Sequence, residues 1–227
     1  MKAKKILIVL IFVLLIPAAV VLSMTVFDKQ KYSFFILAVA ILSVIPVLLS
    51  LERKESDTKK LVMIAVMTAI SVVSRMVFEW IPHFKPVTAI VIITGIYLGK
   101  EAGFLCGAFS ALISNFVFGQ GPWTPFQMMT WGLIGIFAAL LGKILSKNLL
   151  LCCVFGALSG VFYSMLMDVY TVLWVDPDFS FTRYLAAITT AIPTTISYVV
   201  SNVIFLLVLS KPIGKKIERM KLKYGIE

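Results

Sequence analysis

Eight apolar runs, separated by short polar connectors, make up most of the chain: residues 6–26, 32–51, 61–81, 87–98, 102–118, 128–145, 149–174 and 184–209. Most run to about 20 residues, the length an α-helix needs to cross the hydrocarbon of a bilayer. The shorter, alternating segments of a transmembrane β-barrel are not seen. The pattern predicts an all-α integral membrane protein. The run at 87–98 is too short to cross upright, so it is expected to be tilted, broken or only partly spanning.

The connectors divide the chain. Residues 52–60, ERKESDTKK, form its only strongly polar stretch between runs. Before it, residues 1–51 hold two apolar runs with almost no polar residue, a two-helix membrane leader. After it, residues 61–212 hold six runs and every ionisable group inside a run, so they are expected to be the working unit. Residues 213–227 form a basic amphipathic tail with Ile213, Ile217, Met220 and Leu222, expected to rest as a helix on anionic lipid headgroups. The basic start before residue 6 has the look of a signal peptide. The apolar run continues to about residue 26 with no small-residue cleavage site after it, so a retained helix is expected.

Composition agrees. The chain is 60% apolar and 14% charged, with a mean hydropathy of +1.02, whereas soluble domains run to about 45–50% and about 25%. The net charge of +10 does not indicate nucleic acid, because the basic residues cap apolar runs and do not interleave with exposed aromatics. They fall mainly on alternate connectors. By the positive-inside rule this places both termini in the cytoplasm of a multi-pass cell-membrane protein. Cys106, Cys152 and Cys153 lie inside apolar runs and read as small buried residues, not a disulfide framework. His83 is the single histidine and has no acidic or cysteine cluster beside it, so no metal site and no cofactor is expected. No phosphate-binding loop, nucleophile elbow or zinc-protease motif is present, so the chain is not expected to be an enzyme or to hydrolyse ATP itself.

Polar residues inside the runs are the candidates for a site. Arg75 and Glu79 stand four apart near the end of the third run. They are expected to pair along a helix and to face protein or a water-filled cavity, since an isolated charge at mid-membrane costs about 2.5–3.5 kcal/mol. A plain structural ion pair is the alternative. Asn115 and Asp168 add buried polar groups from other runs, with Tyr198 and Asn202 near them in the last. Pro193, among Thr189, Thr190, Thr194 and Thr195, should kink the last run. Gly95, Gly99, Gly103 and Gly107 repeat every four residues and predict two close-packed helix faces. The uncharged stretch VFGQGPWTPFQMMTWGLIG, residues 117–135, has Gly119, Gly121 and Pro122 to force a turn. Trp123 and Trp131 suit a membrane-interface belt, but Gln120 and Gln127 add nothing to anchoring. They, with His83 in its Pro-flanked loop, are expected to contact a small molecule from outside, Trp123 by stacking.

Two segments carry a resemblance. AVMTA at Ala65–Ala69 and the long stretch from Lys85 to Gly135 resemble the substrate-binding S components of energy-coupling factor (ECF) vitamin transporters, above all a cobalamin-type subgroup. The resemblance covers about two-thirds of the chain. It implies a six-helix S-component bundle, here preceded by two extra helices. It also implies uptake of a vitamin, cobalamin or a related corrinoid, from outside, with a queuosine precursor or another small vitamin as the alternative. Further implied partners are the lipid bilayer, an ECF coupling membrane subunit and two ATPase subunits, with docking through Ala65 and Ala69. Outside this class, a membrane enzyme acting on lipid through Arg75, Glu79 and Asp168 is the competing reading, and a purely structural membrane partner a third.

Overall fold

The computed structural model describes residues 58–121, 123–175 and 179–226, all helical apart from turns. The two-helix leader therefore lies outside the described residues, as do Pro122 and most of the polar linker. Eight helices follow in order: α1 Thr58–Val77, α2 Val87–Leu98, α3 Lys100–Phe118, α4 Trp123–Leu140, the single turn α5 Gly142–Leu145, α6 Leu149–Val175, α7 Phe181–Thr190 and α8 Ile192–Tyr224. Six of them, α1–α4, α6 and α8, pack together as one bundle. Four described helices, α1, α3, α6 and α8, are each long and apolar enough to cross a membrane.

The short helix α2 is the centre of the bundle. Its 12 residues reach only about 18 Å at 1.5 Å per residue, well short of the hydrocarbon thickness. Residues Val87 to Gly95 are all buried, so α2 is sheathed by protein and need not match the bilayer. Pro86 opens it, accepting from Ile90 N at 3.0 Å. Gly99, at φ 94°, closes it and starts α3 at once. That left-handed turn is where glycine's freedom is required.

The other glycines of the fourfold series serve packing. Gly95 in α2 and Gly103 in α3 both lie against the Gly135 backbone of α4, and Gly107 lies against Trp131 and Gly132. The glycine faces of α2 and α3 thus converge on one partner, α4, and α3–α4 is the most extensive helix pair. Three buried threonines fold their hydroxyls back on their own turns: Thr68 of α1 donates to Ile64 O, Thr94 of α2 to Ile90 O and Thr130 of α4 to Phe126 O, at 2.7–2.8 Å. Satisfied in this way, they add no polar demand to the interior.

Three features depart from the pattern-based expectation. Helix α1 ends at Val77, and residues 78–86 turn, because Pro82 and Pro86 deny the backbone a helical path. Glu79 is therefore off the helix. Pro193 does not kink a long helix: the chain breaks at Ala191, and Pro193 sits in the first turn of α8, where its missing N–H is harmless. The tail is also more than a surface helix. α8 runs through Pro212 to Tyr224, and Ile217 and Ile226 are buried while Leu222 is exposed. Lys221 Nζ donates to Tyr97 O at 3.3 Å and Lys59 Nζ to Tyr224 O at 2.9 Å. Each cation meets a carbonyl at a helix C-terminus, the end that favours positive charge.

Candidate functional site

The ends of α1, α2 and α4 meet α8 and the middle of α6 around a cavity of about 210 Å³, with the end of α3 behind it. Arg75, His83, Lys85 and Gln127 line one part of it, and Trp131, Tyr163, Tyr198 and Asn202 another. With Val87 and Thr88 of α2 the lining comes from five helices and one loop, which is why no local motif announces it.

Arg75 is the pivot. One guanidinium nitrogen donates to Ser114 Oγ and to Asn115 Oδ1, the latter at 2.9 Å. The guanidinium carbon also lies 4.8 Å from the centroid of Phe118 and 5.4 Å from that of Trp131. Hydrogen bonds and aromatic faces together replace the water a buried charge loses. The expected helical pair with Glu79 is not what holds Arg75. Glu79, displaced into the turn, forms its ion pair with Lys85, which also lies over the Phe118 ring.

Asn115 is 1% exposed and fully engaged. Its Nδ2 donates to Thr124 Oγ1 and to Gln127 Oε1, both at 2.8 Å. From there Thr124 donates to Gln120 Oε1 at 2.9 Å, and Gln120 Nε2 donates to Leu112 O at 2.9 Å. Gln127 Nε2 donates to Tyr163 Oη at 3.1 Å. Tyr163 stacks on Trp131 with centroids 5.0 Å apart, and Trp131 Nε1 donates to Thr88 at 3.2 Å. His83 closes the rim at φ 59°, a left-handed conformation unusual for a residue with a Cβ. Its Nδ1 lies 3.3 Å from Tyr198 Oη.

Of the residues singled out in the sequence, Arg75, His83, Gln127, Tyr198 and Asn202 line the cavity and Asn115 stands directly behind them. Gln120 is tied to the end of α3, and Glu79 stands beside Lys85. Trp123 packs its ring over Gly121 and does not line the cavity. Asp168, further along α6, does not line it either. Trp131, suited by its position to an interface belt, is instead 5% exposed in the cavity wall. Lys85, Thr88 and Tyr163 were not foreseen as site residues. Tyr163 had a legible sign, as a tyrosine in an apolar run whose hydroxyl must find a partner once buried. Ala65 and Ala69 lie on the exposed side of α1, among Leu61, Val62, Val66, Ile70 and Val73, while Met63, Ile64, Met67, Thr68, Ser71 and Val72 face the core.

The chain matches the family described as ECF-type riboflavin transporter, S component, over residues 55–218. It belongs to that family. No curated protein and no solved structure matches it. The match runs from just before α1 to residue 218, within α8, and so takes in nearly all of the helical bundle. It makes this S component a multi-pass membrane subunit of a vitamin-uptake system and not an enzyme. It does not extend to the cobalamin-type subgroup that the resemblance implied.

Proposed function

We propose that this S component binds riboflavin in the Arg75–Tyr163 cavity, from outside the cell, for import by an ECF transporter. The observation that carries the reading is the character of the cavity. It is small, walled by Trp131, Tyr163 and Tyr198, and set with Arg75, Lys85 and Gln127 on one side. A flavin is a flat heteroaromatic ring with carbonyls along one edge and a polyhydroxylated chain, and it suits such walls. The riboflavin description of the matched family supports the same ligand. The amides that a corrinoid's amide rim would meet, Asn115, Gln120 and Gln127, are already bonded to one another or to the backbone. The basic connectors support cytoplasmic termini, which puts the cavity outside. On this reading ATP is hydrolysed by two ATPase subunits held by the coupling membrane subunit, which meets the chain on the Ala65–Ala69 face of α1.

Riboflavin fluoresces, and stacking among aromatic side chains quenches it. Titrating the purified protein in detergent into riboflavin should give a saturable quench, and excess cobalamin should not reverse it. Saturable binding of cobalamin with none of riboflavin overturns the reading.

A further inference from the structure

The hydrogen bonds behind the cavity have a direction, and Arg75 sets it. A guanidinium only donates. Asn115 must therefore turn its carbonyl oxygen, Oδ1, to Arg75, 2.9 Å away. That leaves its NH₂ to donate, and Gln127 must answer with Oε1 at 2.8 Å. Gln127 then has only its own NH₂ for Tyr163, 3.1 Å further on. Neither amide can be reversed without setting two donors, or two acceptors, against each other inside the protein.

The relay forks at Asn115, and the two branches end differently. One passes through Thr124 and Gln120 and terminates on the backbone carbonyl of Leu112, where every donor has an acceptor. The other ends at Tyr163, 5% exposed and in the cavity wall. Its oxygen accepts from Gln127, so its own proton remains to be given. Among the described residues no acceptor takes it. A buried hydroxyl proton without an acceptor is costly, and the cavity is the space into which it can be donated.

We propose that Arg75, acting through Asn115 and Gln127, fixes Tyr163 as a hydrogen-bond donor to the ligand, so that this side of the site selects an acceptor such as a ring carbonyl. Asn115 and Gln127 are then positioning residues and Tyr163 the specificity-determining one. The choice of a carbonyl-bearing probe rests on the riboflavin reading; the direction of the relay does not.

Gln127→Glu tests the relay with almost no change of shape. A carboxylate accepts from Asn115 and also accepts from Tyr163, so it withdraws the tyrosine proton from the cavity. Asn115→Asp does the same from one residue further back, by forcing Gln127 to flip. The Raman Fermi doublet of Tyr163, isolated by subtracting the spectrum of the matching Tyr163→Phe variant, separates a phenol that accepts from one that donates strongly. In ligand-free wild type it should show the accepting form. Both single variants should shift it to the strongly donating form. An unchanged doublet in Asn115→Asp overturns the relay, since a local effect at position 127 cannot be invoked there.

Riboflavin affinity gives the second arm. Tyr163→Phe and Gln127→Glu should each weaken it about tenfold, the scale of one buried hydrogen bond, and the double variant should be no weaker than Tyr163→Phe alone. Losses that multiply overturn the assignment of Tyr163 as the donor. If wild type does not bind riboflavin, the ligand reading fails, and the Raman comparison still decides the direction of the relay.

Discussion

Arg75 and Glu79 show how the same two charges can be spaced for a pair and not form one. An arginine held off water is tolerated when its donors are met and its charge is balanced by polarisable neighbours. Ser114, Asn115 and Phe118 at the end of α3, with Trp131 of α4, do this. Glu79 is half exposed beside Lys85, with 47% of its side chain open, and exposed pairs contribute about 0–1 kcal/mol. The two residues should therefore respond differently to the same change. Glu79→Gln should leave thermal stability in detergent almost unmoved. Arg75→Gln, which leaves Ser114 and Asn115 without a charged donor, should lower it by about 1.5–3 kcal/mol. Equal losses in the two melts would mean that the Arg75–Glu79 interaction governs the site after all. The spacing of four was readable in the sequence. What defeats it is the turn imposed by Pro82 and Pro86, which ends α1 before Glu79 can reach back.

At the scale of elements, the glycine series was legible and its partner was not. The fourfold spacing announces smooth faces on α2 and α3, and those faces exist. Nothing in residues 95–107 says that they meet Gly135, because the contact is made across some thirty residues of sequence and depends on how α4 is laid down. The same holds for the site: Arg75, Gln127 and His83 stood out as polar groups in apolar surroundings. Tyr163 and Trp131 did not, since an aromatic residue in a membrane helix has the same pattern whether it faces lipid, an interface or a cavity. The glycine contact can be graded. A Cβ at Gly135 would overlap the backbone of Gly103, whereas at Gly99 it would meet nothing within 4 Å. Gly135→Ala should therefore push α3 and α4 apart and destabilise by about 1–3 kcal/mol or more. Gly99→Ala should cost about 1–3 kcal/mol through its positive-φ backbone alone. Thermal melts give both values. Riboflavin affinity separates them further, because only Gly135→Ala shifts the helix that carries Gln127 and Trp131.

The whole molecule joins two surfaces through one helix. Near its end α1 delivers Arg75 to the cavity, and along its outer side it presents Ala65, Ala69 and a shallow apolar groove bounded by Ile70, Val73, Ser74, Val77 and Phe78. The buried and exposed sets of α1 alternate with nearly helical period, so the two surfaces share a helix without sharing side chains. That separation allows a clean test of the docking assigned to Ala65 and Ala69. Small residues four apart let a second helix approach to backbone distance, and a leucine at either position would hold it off. Leucine at an exposed, lipid-facing position does not disturb the core, where Met63, Ile64 and Met67 lie on the other side. Ala65→Leu and Ala69→Leu should therefore keep riboflavin binding and thermal stability near wild type. Co-purification with the coupling subunit and the ATPases should fall steeply, and cellular uptake with it. Intact assembly and uptake in both variants would move the contact to another face of the bundle. Loss of ligand binding together with assembly would show that α1 does not keep the two surfaces independent.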